Sequence, residues 1–368
     1  MKKESMMKWM LILFFLATPL VGQEKYPEKY SFDVSYGYGT ILRHNKNIAH
    51  LVIAHPEVVT LGFNRKTYGE KPWQQSYNYP DWGLSFQYTD FRNEVLGKNF
   101  GILAHYNFYF LNRNVRLHLA QGISYNTHPF DLETNPKNNA FGSPLLASTA
   151  LGLYYDLPYL LDDFGLLFGI SIYHHSNGSI KAPNTGTNIL SFEMALSYNK
   201  SAQQETSYIT GEEDEVDRSV HWNVAVSGGF NSSDYLNLGT HPFGVVSSYA
   251  DKRLGSISTL QFGAEIFFSE FLREEIRYVA VAFPKRGIDP DTDWKRVGIF
   301  AGHEFRIGDI GLPTQIGYYI YYPYTYESRV YLRVGGKYYF NHRWFTTLTI
   351  KAHAANAEAI EFGAGIRL

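Results

Sequence analysis

The chain contains no cysteine, and this absence excludes several kinds of protein at once. Without cysteine there is no disulfide framework, no lipidated N-terminal cysteine and no zinc site built from thiolates. The net charge is also small, because 33 basic side chains nearly balance 35 acidic ones. We therefore expect no nucleic-acid partner, and the chain has to be stable without covalent cross-links.

Long apolar runs are missing after the first 22 residues, which excludes helical membrane spans from the rest of the chain. The one early run, WMLILFFLATPLVG, follows three lysines and ends in small residues. This pattern is typical of a signal peptide, and a membrane anchor helix is disfavoured because no polar-flanked second half follows. We predict a signal peptide over residues 1–22, cleaved near Gly22–Gln23, and an exported chain.

Aromatic residues and glycine are abundant in the chain. It has 29 tyrosines, 26 phenylalanines and 32 glycines. An exported chain of this composition without spanning helices is typical of a transmembrane β-barrel, in which aromatic side chains form girdles at both membrane interfaces. A soluble β-sandwich and a secreted two-domain protein are the alternatives.

Alternation with a period of two favours the barrel. Residues 31–39 alternate large apolar side chains with Ser, Asp and Gly, and 329–340 and 360–368 show the same pattern. Runs of about 10 residues suit a tilted strand that crosses a bilayer, whereas sandwich strands are usually about five or six residues long. Similar runs lie near residues 50–63, 82–91, 99–111, 114–125, 144–157, 165–176, 188–199, 219–232, 256–269, 294–307, 311–322 and 343–354.

These runs predict an all-β fold, a transmembrane outer-membrane β-barrel with about 14 antiparallel strands, and between about 12 and 16 remain open. We predict that residues 23–368 form this single barrel domain. The strand count is weakest over 233–290, where SEFLREEIRYVAV fits either a short helix or a strand.

Three other polar segments have ordinary structural interpretations. Residues 126–144 are predicted to be a surface loop because they are rich in Asn, Pro and Gly. The acidic run within 199–219 favours a solvated loop over a cation site. Lys351 and His353 share one face of a predicted strand, and we expect them in a polar network in the lumen rather than in a second site.

The segment HHSNG, residues 174–178, carries the strongest functional signal. Alternation along 165–176 places His174 and Ser176 on the apolar, outward face of the strand and His175 on the lumen face. The next strand begins near Asn188, which lies on its own apolar face, whereas Glu193 lies on the other. A strand end at the membrane interface is the alternative explanation of the segment.

His, Ser and Asn on a lipid-facing surface are costly unless they pair with each other. Together they match the nucleophile, base and orienting residue of a serine hydrolase. Ser176 would attack an ester carbonyl, His174 would take its proton, and Asn188 would hold the imidazole tautomer. The following loop supplies the candidates for the oxyanion hole and for positioning substrate: Asn177, Gly178 and Asn184.

The segment HHSNGSIKAPNTGTN resembles the motif of the PagL-type lipid A deacylases, also grouped as acyloxyacyl hydrolases. The resemblance covers about 165–198. It implies an outer-membrane barrel that removes an ester-linked acyl chain from lipid A without a metal. It also implies that His174 is the base, that Ser176 is the nucleophile and that Asn184 stabilises the oxyanion. The orienting acid of the family falls on Asn188, where this sequence departs from the pattern.

A second family fits that departure. Outer-membrane phospholipase A is similar in its His-x-Ser-Asn-Gly motif and in an Asn twelve residues beyond the Ser, the spacing of Ser176 and Asn188. That resemblance implies a calcium ion held by acidic and hydroxyl groups, and the loop SIKAPNTGT has no acid. We expect no cofactor, with calcium only if the phospholipase alternative holds.

The expected function is that of an outer-membrane serine esterase acting on lipid A in a Gram-negative bacterium, embedded in the membrane. Two alternatives remain: a phospholipase acting on glycerophospholipids, and a channel or transporter barrel without enzymatic activity. The sequence leaves open which acyl chain is removed, the oligomeric state, and whether an acid from another strand replaces Asn188.

Overall fold

The computed structural model of the protein describes residues 29–200, 207–211, 216–354 and 356–368. Within these ranges the chain forms sixteen strands, which close into two antiparallel barrels of eight strands each. The predicted all-β barrel architecture is confirmed. The predicted signal peptide and the acidic run at 212–215 lie outside the described residues.

The N-terminal barrel contains the first eight strands. They are β1 (Tyr30–Ile41), β2 (Glu57–Arg65), β3 (Asp81–Asp90), β4 (Lys98–Phe110), β5 (Val115–Asn126), β6 (Leu145–Leu161), β7 (Phe164–Ser176) and β8 (Thr187–Tyr198). A 3-10 helix (Lys46–Leu51) follows β1, and a short helix α1 (Pro72–Ser76) lies between β2 and β3.

The C-terminal barrel contains the other eight strands. They are β9 (Val220–Ser232), β10 (Thr240–Arg253), β11 (Ser258–Ser269), β12 (Arg296–Ile307), β13 (Ile310–Tyr321), β14 (Val330–Tyr339), β15 (Trp344–His353) and β16 (Asn356–Arg367). Helix α2 (Glu270–Ala282) and a 3-10 turn (Pro284–Arg286) connect β11 to β12.

The structure corrects the prediction of a single barrel over residues 23–368. β1 pairs with β8 as well as β2, and β9 pairs with β16 as well as β10, so each set of eight closes on itself. Alternation along a strand shows which face is buried but does not show which strands close a barrel. The observed strand number lies at the upper limit of the predicted range.

The strand that the sequence did not reveal is β10, which lies in the region where the count was weakest. Its outward face includes Gly244, Ser248 and Lys252, so the contrast between apolar and polar faces is low. The ambiguous segment after β11 is the helix α2, which buries Phe271 and Ile276 on one side.

Both barrels turn their apolar side chains outward and their polar side chains inward. On β1, Val34 and Tyr36 are half exposed, whereas the alternate residue Ser35 is buried. This arrangement is the reverse of a water-soluble core and is what a barrel in lipid requires. Within the described residues, no helix has both the length and the apolar character needed to cross a membrane.

Buried ion pairs fill the lumens. Arg116 lies 2.9 Å from Asp33 and 2.6 Å from Asp156 in the N-terminal barrel. In the C-terminal barrel, Arg333 lies 2.7 Å from both Glu265 and Glu361. A cavity of about 50 Å³ remains in each lumen, which is room for a few water molecules. Lumens packed in this way argue against a solute channel.

Lys351 and His353 confirm the predicted lumen network. Both contact Glu358, at 2.8 Å and 2.7 Å respectively, and Glu358 also pairs with Arg296. The four side chains are almost fully buried. Glu358 is the acceptor shared by all three basic side chains, which places the network inside the lumen and away from β7 and β8.

Loops form a packed cap over one end of the N-terminal barrel, which we call the site end. Buried residues from three connections meet there, including Ile48, Phe91 and Phe141. The predicted loop 126–144 is part of this cap and contains only an isolated bridge, between Asp131 and Asn135. The cap gives the loop after β7 a rigid support on one side.

Candidate active site

The candidate site lies at the site end of β7 and β8, the strand pair that the sequence places at about 165–199. The register sets His174 directly opposite Asn188. Ser176 follows His174 by two residues and therefore lies on the same face of β7. The short separation along two paired strands brings the three side chains together.

The three side chains form a continuous hydrogen-bonded chain. His174 Nε2 lies 3.0 Å from Ser176 Oγ. On the other side of the ring, His174 Nδ1 lies 2.7 Å from Asn188 Oδ1. Since an amide oxygen can only accept, Nδ1 carries the proton and Nε2 is free to accept one from the serine hydroxyl. The arrangement can therefore move a proton from Ser176 to His174.

Small, polar and apolar side chains border the trio on the outward face. β6 places Ala147 opposite Ser176 and Thr149 opposite His174. Ser176 itself is only 4% exposed, whereas Leu145 and Ile172 on the same face are 60% and 40% exposed. The trio thus sits at the edge of an apolar outward surface.

His175 lies apart from this trio, on the inward face as the alternation predicts. It is fully buried, its Nδ1 lies 2.8 Å from Ser148 Oγ, and its ring contacts the edge of Phe91. Its role is to pack between the barrel and the loop cap.

No acid replaces Asn188 among the described residues, because the partner of His174 Nδ1 is the amide. Glu193, the nearest acid along β8, faces inward and accepts hydrogen bonds from Tyr154 and Tyr173. The residue that accepts the hydrogen bond from His174 Nδ1 is therefore neutral.

The loop of residues 177–186, here called the catalytic loop, holds the predicted oxyanion residues. Asn184 Oδ1 accepts the Asn177 backbone N–H at 2.8 Å, which leaves the Asn184 NH₂ group as the donor end of this side chain. That NH₂ makes only a long contact of 3.4 Å with Ser179 Oγ. Asn177 also donates its side-chain amide to the Lys181 carbonyl at 2.6 Å. Asn177 thus braces the loop, and Asn184 keeps donor capacity.

Gly178 and Ser179 both adopt the left-handed conformation, with φ of +61° and +62°. Among the described residues, neither backbone N–H has a hydrogen-bond acceptor. Consecutive N–H groups in such a turn can converge on an anion. These two N–H groups follow Ser176 by two and three residues, and the oxyanion role predicted for Gly178 and Asn184 stays a prediction.

Gly186 lies against His174 and Ser176, and the sequence reasoning missed it. Its φ is +66°, and a Cβ there would lie 3.2 Å from Ser176 Cβ and 3.5 Å from His174 Cε1. A side chain at this position would press on the catalytic pair. The Gly in the PNTG segment was the signal available in the sequence.

No group of three or more His, Asp or Glu side chains in the described part of the chain is placed to hold a metal ion. The expectation that no cofactor is needed remains a prediction. The groups that can carry chemistry at this site are the hydroxyl, imidazole and amide groups already described.

Two family models match the chain; the first covers β2 to β8, and the second covers the C-terminal barrel. The PagL model, described as lipid A 3-O-deacylase, matches residues 57–197. The model of the acyloxyacyl hydrolase C-terminal domain matches residues 220–368. No curated protein is significantly similar to the chain.

Similar solved structures include a variant of the Rh. blastica porin, at 7% identity over 92% of this chain and 99% of the porin, with a TM-score of 0.22. An outer membrane protein of Acinetobacter baumannii is 8% identical over 92% of this chain and 98% of that protein, with a TM-score of 0.19. Similarity at this level adds nothing to the case for function.

Proposed function

Because the chain belongs to the PagL family of lipid A 3-O-deacylases, and is therefore an ester hydrolase, we propose that it deacylates lipid A with Ser176 as nucleophile. The observation that carries this proposal is the chain of contacts from Ser176 through His174 to Asn188 on an outward, apolar face. The barrel fold and the family together point to the outer membrane of a Gram-negative bacterium as the location.

In the proposed reaction, Ser176 Oγ attacks the carbonyl carbon of an ester-linked acyl chain while His174 Nε2 takes the hydroxyl proton. Asn188 accepts the Nδ1–H and holds the imidazole in the required tautomer. The tetrahedral oxyanion receives hydrogen bonds from the Asn184 NH₂ and the Gly178 backbone N–H. His174 then returns the proton to the departing sugar hydroxyl, which leaves an acyl-enzyme.

Deacylation repeats these steps with water as the nucleophile. His174 takes a proton from water, which attacks the acyl carbonyl, and the same proton then restores the Ser176 hydroxyl. The products are a free fatty acid and lipid A with one acyl chain fewer. The exposed Leu145 and Ile172 beside the trio support the view that the acyl chain stays in an apolar environment throughout.

The test is expression of the full chain in a Gram-negative host and mass spectrometry of its lipid A. In cells that express the wild type, the mass of lipid A should fall by that of one acyl chain, and with Ser176→Ala it should not. Ser171→Ala is the matched control, because Ser171 lies on the same strand but faces inward to Tyr154, and it should behave as wild type.

Two results would change the assignment. Unchanged lipid A with wild-type breakdown of glycerophospholipids would replace the deacylase with the phospholipase alternative. A chelator would then be expected to abolish the activity, whereas the deacylase should be insensitive to it. No change in either lipid would overturn the esterase proposal.

A further inference from the structure

The C-terminal barrel contacts the catalytic loop within four residues of Ser176. The Ser232 backbone N–H donates to the Ser179 carbonyl at 2.9 Å, and Thr240 Oγ1 donates to the Ile180 carbonyl at 2.8 Å. Ser179 Oγ in turn donates to the Ala357 carbonyl at 2.5 Å. These three bonds join the loop to the ends of β9, β10 and β16.

An apolar contact joins the same two parts of the protein. Ile360 on the outward face of β16 packs on Gly178, where a Cβ would lie 2.4 Å from Ile360 Cδ1. The C-terminal barrel therefore touches Gly178, Ser179 and Ile180 in succession. Only glycine fits at the first of these positions.

These contacts bear on catalysis because they hold Gly178 and Ser179, which carry proposed oxyanion donors, and the residue that follows them. A left-handed conformation is unusual for a residue such as Ser179 and persists only where its surroundings impose it. Holding the Ser179 carbonyl fixes the planar peptide group directly after Ser179. The bond from Ser179 Oγ and the packing of Ile360 on Gly178 hold the two donor-bearing residues themselves. The loop cap supports the other end of the catalytic loop, where Asn139 accepts the Thr185 N–H at 3.0 Å.

We propose that the C-terminal barrel acts as a positioning element for the oxyanion hole, through Ser232, Thr240 and Ile360. This inference rests on the proposed function, because it assigns the catalytic loop to oxyanion binding. The three are positioning residues: they touch the loop and not the reacting atoms. Their contribution should appear in the transition state, where the oxyanion forms, and not in substrate binding.

The opposite end of the molecule provides a matched control. There the two barrels also touch, where Ser76 Oγ lies 3.4 Å from Ser256 Oγ and Trp73 lies against Gly308. A substitution at this contact weakens the junction between the barrels without reaching the catalytic loop. Such a substitution distinguishes a general role in docking the two barrels from a role in positioning the catalytic loop.

The experiment measures kcat and KM of the purified full chain with lipid A in mixed micelles, quantifying released fatty acid by mass spectrometry. Thr240→Val removes one hydroxyl with little change of shape, and Ile360→Ala removes the packing on Gly178. Loss of an oxyanion donor costs about 100- to 1000-fold in kcat, and we expect a displaced donor to cost about three- to thirtyfold with KM within about twofold. Thr240→Ser should restore wild-type kcat, and Ser256→Ala should retain it.

Two outcomes would overturn the inference. One is a kcat within about twofold of wild type for both Thr240→Val and Ile360→Ala. The other is an equal loss in Ser256→Ala, which would indicate a docking role only. Both outcomes are compared with the active wild type and with the inactive Ser176→Ala variant. If wild type itself releases no fatty acid from lipid A, the proposed function fails instead.

Discussion

Asn188 offers the sharpest test of the catalytic geometry, because a neutral amide occupies a position where an acid would be expected. Its Oδ1 lies 2.7 Å from His174 Nδ1 and is the ring's acceptor on that side. Asn188→Ala removes the acceptor and leaves the Nδ1–H without a partner in a partly buried site. The ring then loses the preference for the tautomer that accepts the serine proton.

The magnitude follows from the cost of an unsatisfied donor. Leaving a buried N–H without an acceptor costs about 1–3 kcal/mol. At about 1.4 kcal/mol for each factor of ten in rate, kcat should fall by roughly five- to 150-fold. Removing Ser176 should cost far more, because loss of a nucleophile typically reduces kcat by about 10⁶-fold.

Asn188→Asp should act in the opposite direction on the rate. A carboxylate about 4 Å from the imidazolium that forms in the transition state gains at most about 4 kcal/mol at an effective dielectric constant of about 20. Burying the carboxylate costs energy before and during the reaction alike, so that penalty appears in stability and largely cancels from kcat. We expect kcat to rise about tenfold while the free energy of unfolding decreases.

The assay is the release of fatty acid from lipid A in mixed micelles, with thermal unfolding of each variant in the same detergent. The double variant Ser176→Ala/Asn188→Ala should be no slower than Ser176→Ala alone, because the residues act as a unit. If Asn188→Ala retained wild-type kcat, Asn188 would not orient His174. A slower Asn188→Asp enzyme would show that the added charge does not stabilise the imidazolium.

Three further predictions concern the histidine pair, the lumen and the helix α2. His174→Ala should lower kcat by about 10³-fold or more, whereas His175→Ala should retain activity within about tenfold and lower the unfolding temperature, as measured by the same assay and melts. Arg333→Met leaves two buried carboxylates unpaired and should lower the free energy of unfolding by about 3–5 kcal/mol in denaturant titrations. Burial raises the pKa of Glu275 above 4.5. Its contribution to stability therefore decreases as pH rises through that raised value. In Glu275→Gln the unfolding temperature should depend less on pH between acidic and neutral pH.

Local patterns predicted most of the strands because lipid and lumen impose opposite polarity on neighbouring residues. The run at 31–39 shows this most clearly, and β1 extends over it. The closure into two barrels could not be predicted, because it depends on β1 meeting β8 and β9 meeting β16 across more than a hundred residues. β10 was missed because its outward face is small and polar.

The site shows the same division between local and distant information. Spacing along two adjacent strands is local, so the facing of His174, Ser176 and Asn188 could be read from the sequence. Ile360 and Thr240 reach the catalytic loop from the other barrel. The period-two pattern does not distinguish them, because each looks like an ordinary residue of its strand.

The neutral third member is consistent with where the site lies. A carboxylate at the edge of an apolar, outward face would carry a desolvation cost of several kcal/mol, whereas an amide carries much less. The cost of using an amide is weaker stabilisation of the imidazolium, which places more of the catalytic burden on the oxyanion donors. In this chain those donors lie on a loop held between the loop cap and a second barrel. In the proposed mechanism, a weak orienting residue and a firmly held oxyanion loop are therefore complementary features of one site.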